Sequence, residues 1–297
     1  MARSRKNREN PFIHVFFILS CLCFILPFIL VIAISLSSED SISQYGYRLI
    51  PKVFDTTAYR LIFKNPVQIK DSYLVTAFQA LVGTVLSVII MSLCAYPLSR
   101  SNFRYKGVIT FIIFFTMLFG GGLIPSYILN TQYLKLGNTV WIYIFPSLVN
   151  AFYIIVFRTF FQGLPESLQE SAKIDGASEL RIFFQIILPL SKPVLATIAL
   201  FNVIDRWNNW YTSLLYIRDQ ELYTLQYLLQ RILREADFIN NLAAENISVV
   251  GNLIQTRMPT ESMRYAMLVV AAGPMIMIFP FFQKYFSRGL TIGAVKG

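Results

Sequence analysis

The sequence predicts an all-α polytopic membrane protein with six transmembrane helices. Three observations carry this reading. Of 297 residues, 55% are hydrophobic and only 14% are charged, with a mean hydropathy of +0.55, whereas a soluble domain carries about 25% charged residues. The apolar residues gather into runs near the roughly 20 residues that a bilayer demands. Phe (26) and Tyr (16) are abundant, as expected where rings sit at headgroup level. The formal net charge of +10 does not read as a nucleic-acid footprint, because Lys and Arg are scattered between apolar runs rather than gathered in one patch.

The first run, 12–36, follows a basic stretch and so resembles a signal peptide at its start. It is too long for an h-region and lacks an A-x-A cleavage site, so it is expected as a retained first span. Further spans are expected near 73–97, 107–129, 138–160, 193–216 and 264–286, each apolar and long enough. Pro27, Gly83, Pro146, Gly273, Pro274 and Pro280 fall inside them and are tolerated where neighbours re-satisfy the backbone. The run Gly120 to Pro125 either breaks the third span or lets helices approach closely, and the sequence leaves both open. Cys21, Cys23 and Cys94 lie in apolar runs and are expected to be buried thiols. Nothing near the Cys-x-Cys pair completes a metal site. His14, the one histidine, sits at the first membrane boundary without a second His beside it, and no chemical role is expected of it.

Short basic flanks set the orientation. Arg3, Arg5, Lys6 and Arg8 precede span one; Arg100, Arg104 and Lys106 follow span two, and Lys284, Arg288 and Lys296 lie in the last segment, these two groups without acids. Such segments are cytoplasmic, and an even number of spans then puts both termini inside. Segments 37–72, 130–137 and 217–263 are expected outside, and loop 161–192, between spans four and five, is expected in the cytoplasm. The chain reads as one transmembrane domain over 1–297, with no internal repeat. In the external segment 217–263, Leu225, Leu228, Leu229, Ile232 and Leu233 recur at helical spacing, which predicts an amphipathic helix.

The loop ESLQESAKIDGASELRIFFQIILPLSKP, 166–193, departs from its apolar surroundings. Pro165 suits a first helical turn, Glu166 and Glu170 sit where a helix dipole favours carboxylates, and Lys173 is spaced to pair with Glu170. Ser167, Ser171 and Ala172 give the helix a small side, and Asp175-Gly176 signals a turn. A second helix follows, with Asp175 expected to cap it. By pattern alone this is either an amphipathic connector on the membrane surface or a knob for a partner's groove.

The stretch resembles the EAA motif of permease subunits of ATP-binding-cassette importers: E-A-A, three residues, G, nine residues, I, one residue, L-P. Here Glu170, Ser171, Ala172, Gly176, Ile186 and Leu188-Pro189 match, with Ser171 a small-for-small departure. The tail QKYFSRGLTIGAVKG, 283–297, is similar to that of carbohydrate-uptake permeases of the maltose-transporter type. GGLIPSYIL (121–129) and FPFFQKYF (279–286) resemble the branch associated with aldouronates and other complex oligosaccharides.

The resemblance implies a type I importer permease fold in a bacterial plasma membrane, with Glu170, Ser171, Ala172, Asp175, Gly176 and Ala177 forming a cytoplasmic coupling helix. Glu170 would supply a polar contact, and Ala172 and Gly176 close approach. It implies a second permease subunit, usually dissimilar, two ATPase subunits, an extracytoplasmic solute-binding protein that is typically a lipoprotein, and an oligosaccharide substrate. Ala294, Val295, Lys296 and Gly297 would reach the ATPase pair, the alternative being a disordered tail. ATP and magnesium would be bound by the ATPase subunits, because this chain has no G-x-x-x-x-G-K-[ST] sequence and holds no cofactor of its own. It is therefore a transport subunit and not an enzyme.

Span five contains FNVIDRWNNWY, 201–211. Polar groups at membrane depth are costly and face a bundle interior or a cavity. Asp205 and Arg206, adjacent on a helix, point about 100° apart and are expected to seek partners on other helices. Asp205, Trp207, Asn208, Asn209, Trp210 and Tyr211 supply the aromatic faces and amides that sugars use. Carbohydrate permeases carry a Trp-Asn pair at the matching place. Polar packing within the bundle and an interfacial aromatic belt are the competing readings. An ion-gradient-driven transporter would need paired intramembrane acids, and a membrane scaffold would leave the EAA spacing to coincidence.

Overall fold

Length and hydropathy dictate the first helix. In the computed structural model, which describes residues 11–245 and 260–293, α1 runs over Pro11–Ser35. Its apolar side chains are nearly all exposed up to Ile29, as a helix solvated by lipid requires. Cys21 and Cys23 share that exposure, so the expectation of buried thiols fails for them. Cys94 is partly buried.

Among the described residues the structure is helical, apart from one isolated β-bridge between Ser37 and Phe54. After α1 come α2 (Glu39–Tyr45), α3 (Thr57–Ile62) and α4 (Pro66–Ser99). Helix α4 begins well before residue 73, because Pro66 can open a helix and the residues after it continue the turn. It buries Ser72, Thr76, Gln79, Ala80, Gly83, Thr84, Ser87, Met91, Ser92, Ala95 and Tyr96. That small and polar stripe at helical spacing lets two helices lie close to it.

Two of the expected spans, the third and the fourth, are bent. Helix α5 (Lys106–Leu118) ends before the glycines, and α6 (Leu123–Ile128) leaves at 110° and continues in a π turn, Leu129–Tyr133. Gly122 has φ +83°, and a Cβ on any of Gly120 to Gly122 would meet nothing within 4 Å. The glycines therefore break the span, and close packing within the chain is not their role. Short 3₁₀ turns over Val140–Tyr143 and Phe145–Ser147 meet α7 (Ala151–Gln162) at 50°, with Pro146 in the second turn. Asn150 caps α7 by accepting from Phe152 N and Tyr153 N.

The polar loop folds as α8 (Glu166–Ile174), α9 (Glu179–Ile182), a π turn over Phe183–Ile187 and α10 (Leu188–Leu190). Helix α11 (Lys192–Trp207) follows at 80°, then α12 (Tyr211–Tyr216) and a 3₁₀ turn over Gln220–Leu222. Helix α13 (Leu225–Glu245) realises the amphipathic helix: Leu225, Leu228 and Leu229 are buried. The last helix, α14, runs over Thr260–Gly293. Among the described residues only α1, α4 and α14 are single helices long and apolar enough to cross a membrane, and the bent pairs bring the number to six if each counts as one span.

The chain divides into two units, 1–65 with 229–273 and 66–228 with 274–297. In the first, Glu39 caps α14: its carboxylate accepts from Glu261 N and Ser262 N, both at 3.1 Å, and from Ser262 Oγ at 3.2 Å. These bonds satisfy N–H groups that a helix start leaves open. In the second, α4 packs on α7 and α11. Met91, Ala95, Leu98, Ile154, Phe157, Phe161, Ile182, Phe183, Ile187, Val194 and Ile198 form its apolar core.

Candidate functional site

The motif in the polar loop is first a helix-stop signal. Beyond α8, Gly176 N donates to Lys173 O at 3.0 Å and Ala177 N to Ala172 O at 2.9 Å. This pair of bonds is a Schellman turn, with the left-handed residue at Gly176, φ +76°. Nothing in the chain lies within 4 Å of a Cβ placed there. Within this chain, then, Gly176 is demanded by backbone conformation and not by close approach.

Two sequence expectations are corrected here. Ser178, not Asp175, caps α9: Ser178 Oγ accepts from Arg181 N at 3.4 Å, and Asp175 instead ends α8. Lys173 does not pair with Glu170. The Schellman turn folds the chain back, so Lys173 Nζ meets Glu179 Oε1 at 2.5 Å. Glu179 Oε2 also accepts from Tyr96 Oη at 2.8 Å, at the end of α4. These bonds, the Lys173 one first and the Tyr96 one after desolvation has opposed it, hold the Glu179 carboxyl below its usual range.

The faces of α8 divide cleanly. Gln169 is buried, and Ala172 and Ala177 pack on the apolar core, so Ala172 is turned inward. Glu170, Ser171, Asp175 and Gly176 are exposed. So is Ile174, at 86%, an apolar side chain that sequence reasoning did not single out. Its signal was available: a lone isoleucine beside a helix-ending Asp-Gly. Ile186 and Leu188 of the motif are partly buried against the core. Ala294, Val295, Lys296 and Gly297 lie outside the described residues.

The second polar cluster lies around α11. Arg206, 4% exposed, spends four N–H bonds on neutral acceptors. Nε donates to Asn202 Oδ1 at 3.2 Å, Nη1 to Tyr143 O at 2.9 Å, and Nη2 to Ser87 Oγ at 2.7 Å and Ser147 O at 2.8 Å. The carbonyls of Tyr143 and Ser147 face it from the 3₁₀ turns at the fourth-span bend. Gln79 Nε2 adds a bond to Arg206 O at 2.8 Å. Gly83 provides the room, since a Cβ there would stand 2.4 Å from Nη1. The guanidinium thus ties α11 to α4 and to the bend before α7. As expected, Asp205 points elsewhere and accepts from Tyr153 Oη at 3.3 Å.

A cavity of about 170 Å³ opens beside this cluster, lined from α7 and its cap by Asn150 and Tyr153, and from α11 and its end by Asn202, Asp205, Arg206 and Asn209, with Ser147 and Val149. Of the sequence candidates, Asp205 and Asn209 reach it. Trp207 is buried and stands 6.5 Å from the Tyr73 ring. Trp210 stacks edge-on with Tyr211 at 5.7 Å, and Asn208 accepts from Gln226 Nε2 at 3.3 Å. None of these four lines the cavity. Asn150, Tyr153 and Asn202 were missed. Asn202 was legible in principle as the residue four before Arg206, on the same helix face.

The chain matches the family described as "Binding-protein-dependent transport system inner membrane component" over residues 83–292. It is 39% identical over 293 residues to the polygalacturonan/rhamnogalacturonan transport system permease protein YtcP of Bacillus subtilis (strain 168), covering 98% of this chain and 100% of that one. It is also 39% identical over 273 residues to Protein LplC of the same organism, covering 92% and 90%. In structure it is similar to a crystallised bacterial ABC transporter chain involved in the import of the acidic polysaccharide alginate. The TM-score is 0.75, with 32% identity, covering 96% of this chain and 99% of that one.

Proposed function

Because the chain belongs to the family of inner membrane components of binding-protein-dependent transport systems, we propose that it forms one half of the path of an ATP-driven oligosaccharide importer. The six expected spans build that half, with both termini in the cytoplasm of a bacterial cell. A second permease, usually dissimilar, supplies the other half. Two ATPase subunits hold ATP and magnesium, and an extracytoplasmic binding protein, typically a lipoprotein, delivers the saccharide. The oligosaccharide class rests on the relatives: one is named for polygalacturonan and rhamnogalacturonan, and one solved neighbour for alginate.

The observation that carries the coupling role is α8 itself. It is anchored on its inner face by Gln169 and Ala172, stopped by the Gly176 turn, and held just past that turn by Ala177. It presents Glu170, Ser171 and Ile174 outward. An anchored helix with an apolar tip and a flanking carboxylate can seat in a groove of an ATPase and carry its motion to α4 and α11. Asp175 and the tail 294–297 are further candidates for that contact. The two permease halves then rock between inward- and outward-facing forms. Substrate contact falls to Asp205 and Asn209 first. Trp207, Asn208, Trp210 and Tyr211 remain candidates for other stages of passage.

The test is Gly176→Arg in the assembled importer. The expected result is normal membrane level with ATP-driven uptake lost. Full uptake by that variant in vesicles would sink the assignment of α8.

A further inference from the structure

Where α4 ends, the polar loop folds against it and leaves a second cavity, of about 410 Å³. Its walls are apolar: Leu93 and Pro97 from α4, Phe103 from the loop that follows, and Leu180 and Phe183 from α9 and the π turn. Of its polar groups, Glu179 is already spent. One carboxylate oxygen meets Lys173 and the other accepts from the Tyr96 hydroxyl. Arg100 is not spent. Its guanidinium lies 5.6 Å from the centre of the Tyr96 ring and makes no hydrogen bond or ion pair among the described residues. Asn102 also lines the cavity and is exposed. Arg104 and Lys106 lie on the same loop, which has no acid. Just beyond it, Val108, Phe111 and Ile112 of α5 are exposed, as side chains solvated by lipid are. The cavity therefore joins an apolar wall to a cation that no acid of the chain pairs with, beside a lipid-facing helix.

We propose that this cavity seats an anionic phospholipid, with its phosphate on Arg100 and the first part of an acyl chain along the apolar wall. The wall asks for hydrocarbon and Arg100 for an anion. A free phosphate would serve Arg100 but leave the wall in water. An apolar helix from another chain would cover the wall but bury Arg100 without a partner, which is costly. An anionic lipid meets both demands at once, and a guanidinium takes phosphate oxygens in pairs. Basic pockets between helices at a membrane face hold such headgroups. The level also fits, because α4 ends at Ser99 and the exposed apolar side of α5 begins at Val108. The lipid would lie against the Tyr96–Glu179 bond, which ties the end of α4 to the polar loop. The inference goes beyond the transport reading. It needs a chain that sits in a bilayer, and no particular substrate or role for α8.

The experiment uses the assembled importer in phosphatidylcholine vesicles. The probes are phosphatidylglycerol and phosphatidylcholine carrying the same photoreactive acyl chain, and mass spectrometry locates the labelled segments. Phosphatidylglycerol is expected to label the segments 93–103 and 179–183 about five-fold more than phosphatidylcholine, the preference that one basic side chain gives. Arg100→Gln should bring the two lipids level there. Arg100→Lys should keep most of the difference, which shows that the cavity still folds. Arg104→Gln, outside the lining, should leave it unchanged. An equal loss from Arg104→Gln would reduce the effect to the general charge of the loop and overturn the site. Equal labelling by the two lipids in wild type overturns the anionic preference. Labelling abolished by inorganic phosphate, but not by chloride at equal ionic strength, would make a free anion the occupant and overturn the lipid. Label on the exposed side of α5 with none in the cavity would mean that another subunit covers it, which also overturns the proposal. Label on neither would overturn the placement of α5 in lipid along with the site.

Discussion

At Gly83 a side chain has nowhere to go, because a Cβ would stand 2.4 Å from Nη1 of Arg206, whose guanidinium is held by four acceptors. At Gly176 there is open space, with nothing within 4 Å, but φ is +76°. The first glycine sits in a buried polar cluster inside an apolar bundle, the second on an exposed polar loop. In the buried cluster every donor must find an acceptor, so volume decides which residue is allowed. On the loop water satisfies what the chain does not, so backbone conformation decides. The two regions should therefore fail in different ways when altered.

The largest effect is expected at Gly83. Gly83→Ala forces the guanidinium out of its shell. Hydrogen bonds to a charged group contribute about 1.5–3 kcal/mol each, and a stranded buried donor adds to the loss, so a destabilisation of at least about 3 kcal/mol is expected. Thermal unfolding of the detergent-solubilised complex reads it. A melting temperature near wild type would mean that the shell has slack and that volume is not the constraint.

Next is Arg206→Lys, which keeps the charge and changes the geometry. An ammonium has three donors and no planar fork, so it cannot serve Asn202, Ser87 and the carbonyls of Tyr143 and Ser147 together. A loss of about 2 kcal/mol is expected, with the cavity beside it loosened. The same unfolding measurement applies, and an unperturbed variant would show that charge alone suffices there.

Gly176 sharpens the contrast. An L side chain in the left-handed region costs about 1–2 kcal/mol, and Asn bears it better than Ala. Gly176→Ala should lower uptake per ATP hydrolysed several-fold, and Gly176→Asn should recover most of it. At Gly83 the order differs, because Asn is larger than Ala and no rescue is expected. Equal damage from both substitutions at 176 would return close approach, here to the ATPase, as the reason for glycine.

Much of this architecture was legible because length and hydropathy are strong signals in lipid. α1, α4, α14 and the amphipathic α13 follow from them. The break at Gly120–Gly122 was one of two readings, and the φ of +83° at Gly122 with empty space around it decides between them. What periodicity could not give was pairing across the chain. Lys173 prefers Glu179 to Glu170 because the Schellman turn reverses the chain. Arg206 collects partners 59, 63 and 119 residues away. Asn150 and Tyr153 join Asp205 only because the fourth span bends before α7. Sequence named the cost of burying a charge in span five but not the groups that meet it.

The smallest effect belongs to the exposed tie at the base of the loop. Lys173 and Glu179 are over a third exposed, so their pairing contributes at most about 1 kcal/mol. The folded Glu179 carboxyl titrates below its unfolded value. Its contribution is therefore complete above the unfolded value of about 4.3 and is lost as pH falls through the lower folded one. Glu179→Gln keeps an acceptor for Tyr96 but removes the charge that draws Lys173. At pH 7 the variant should show slightly faster amide exchange over 171–178 than wild type, and the difference should shrink toward zero as pH falls below the folded value. A difference that persists at low pH would mean the Glu179 side chain acts there through its shape and its Tyr96 bond. The loop would then share the geometric strictness of the buried cluster.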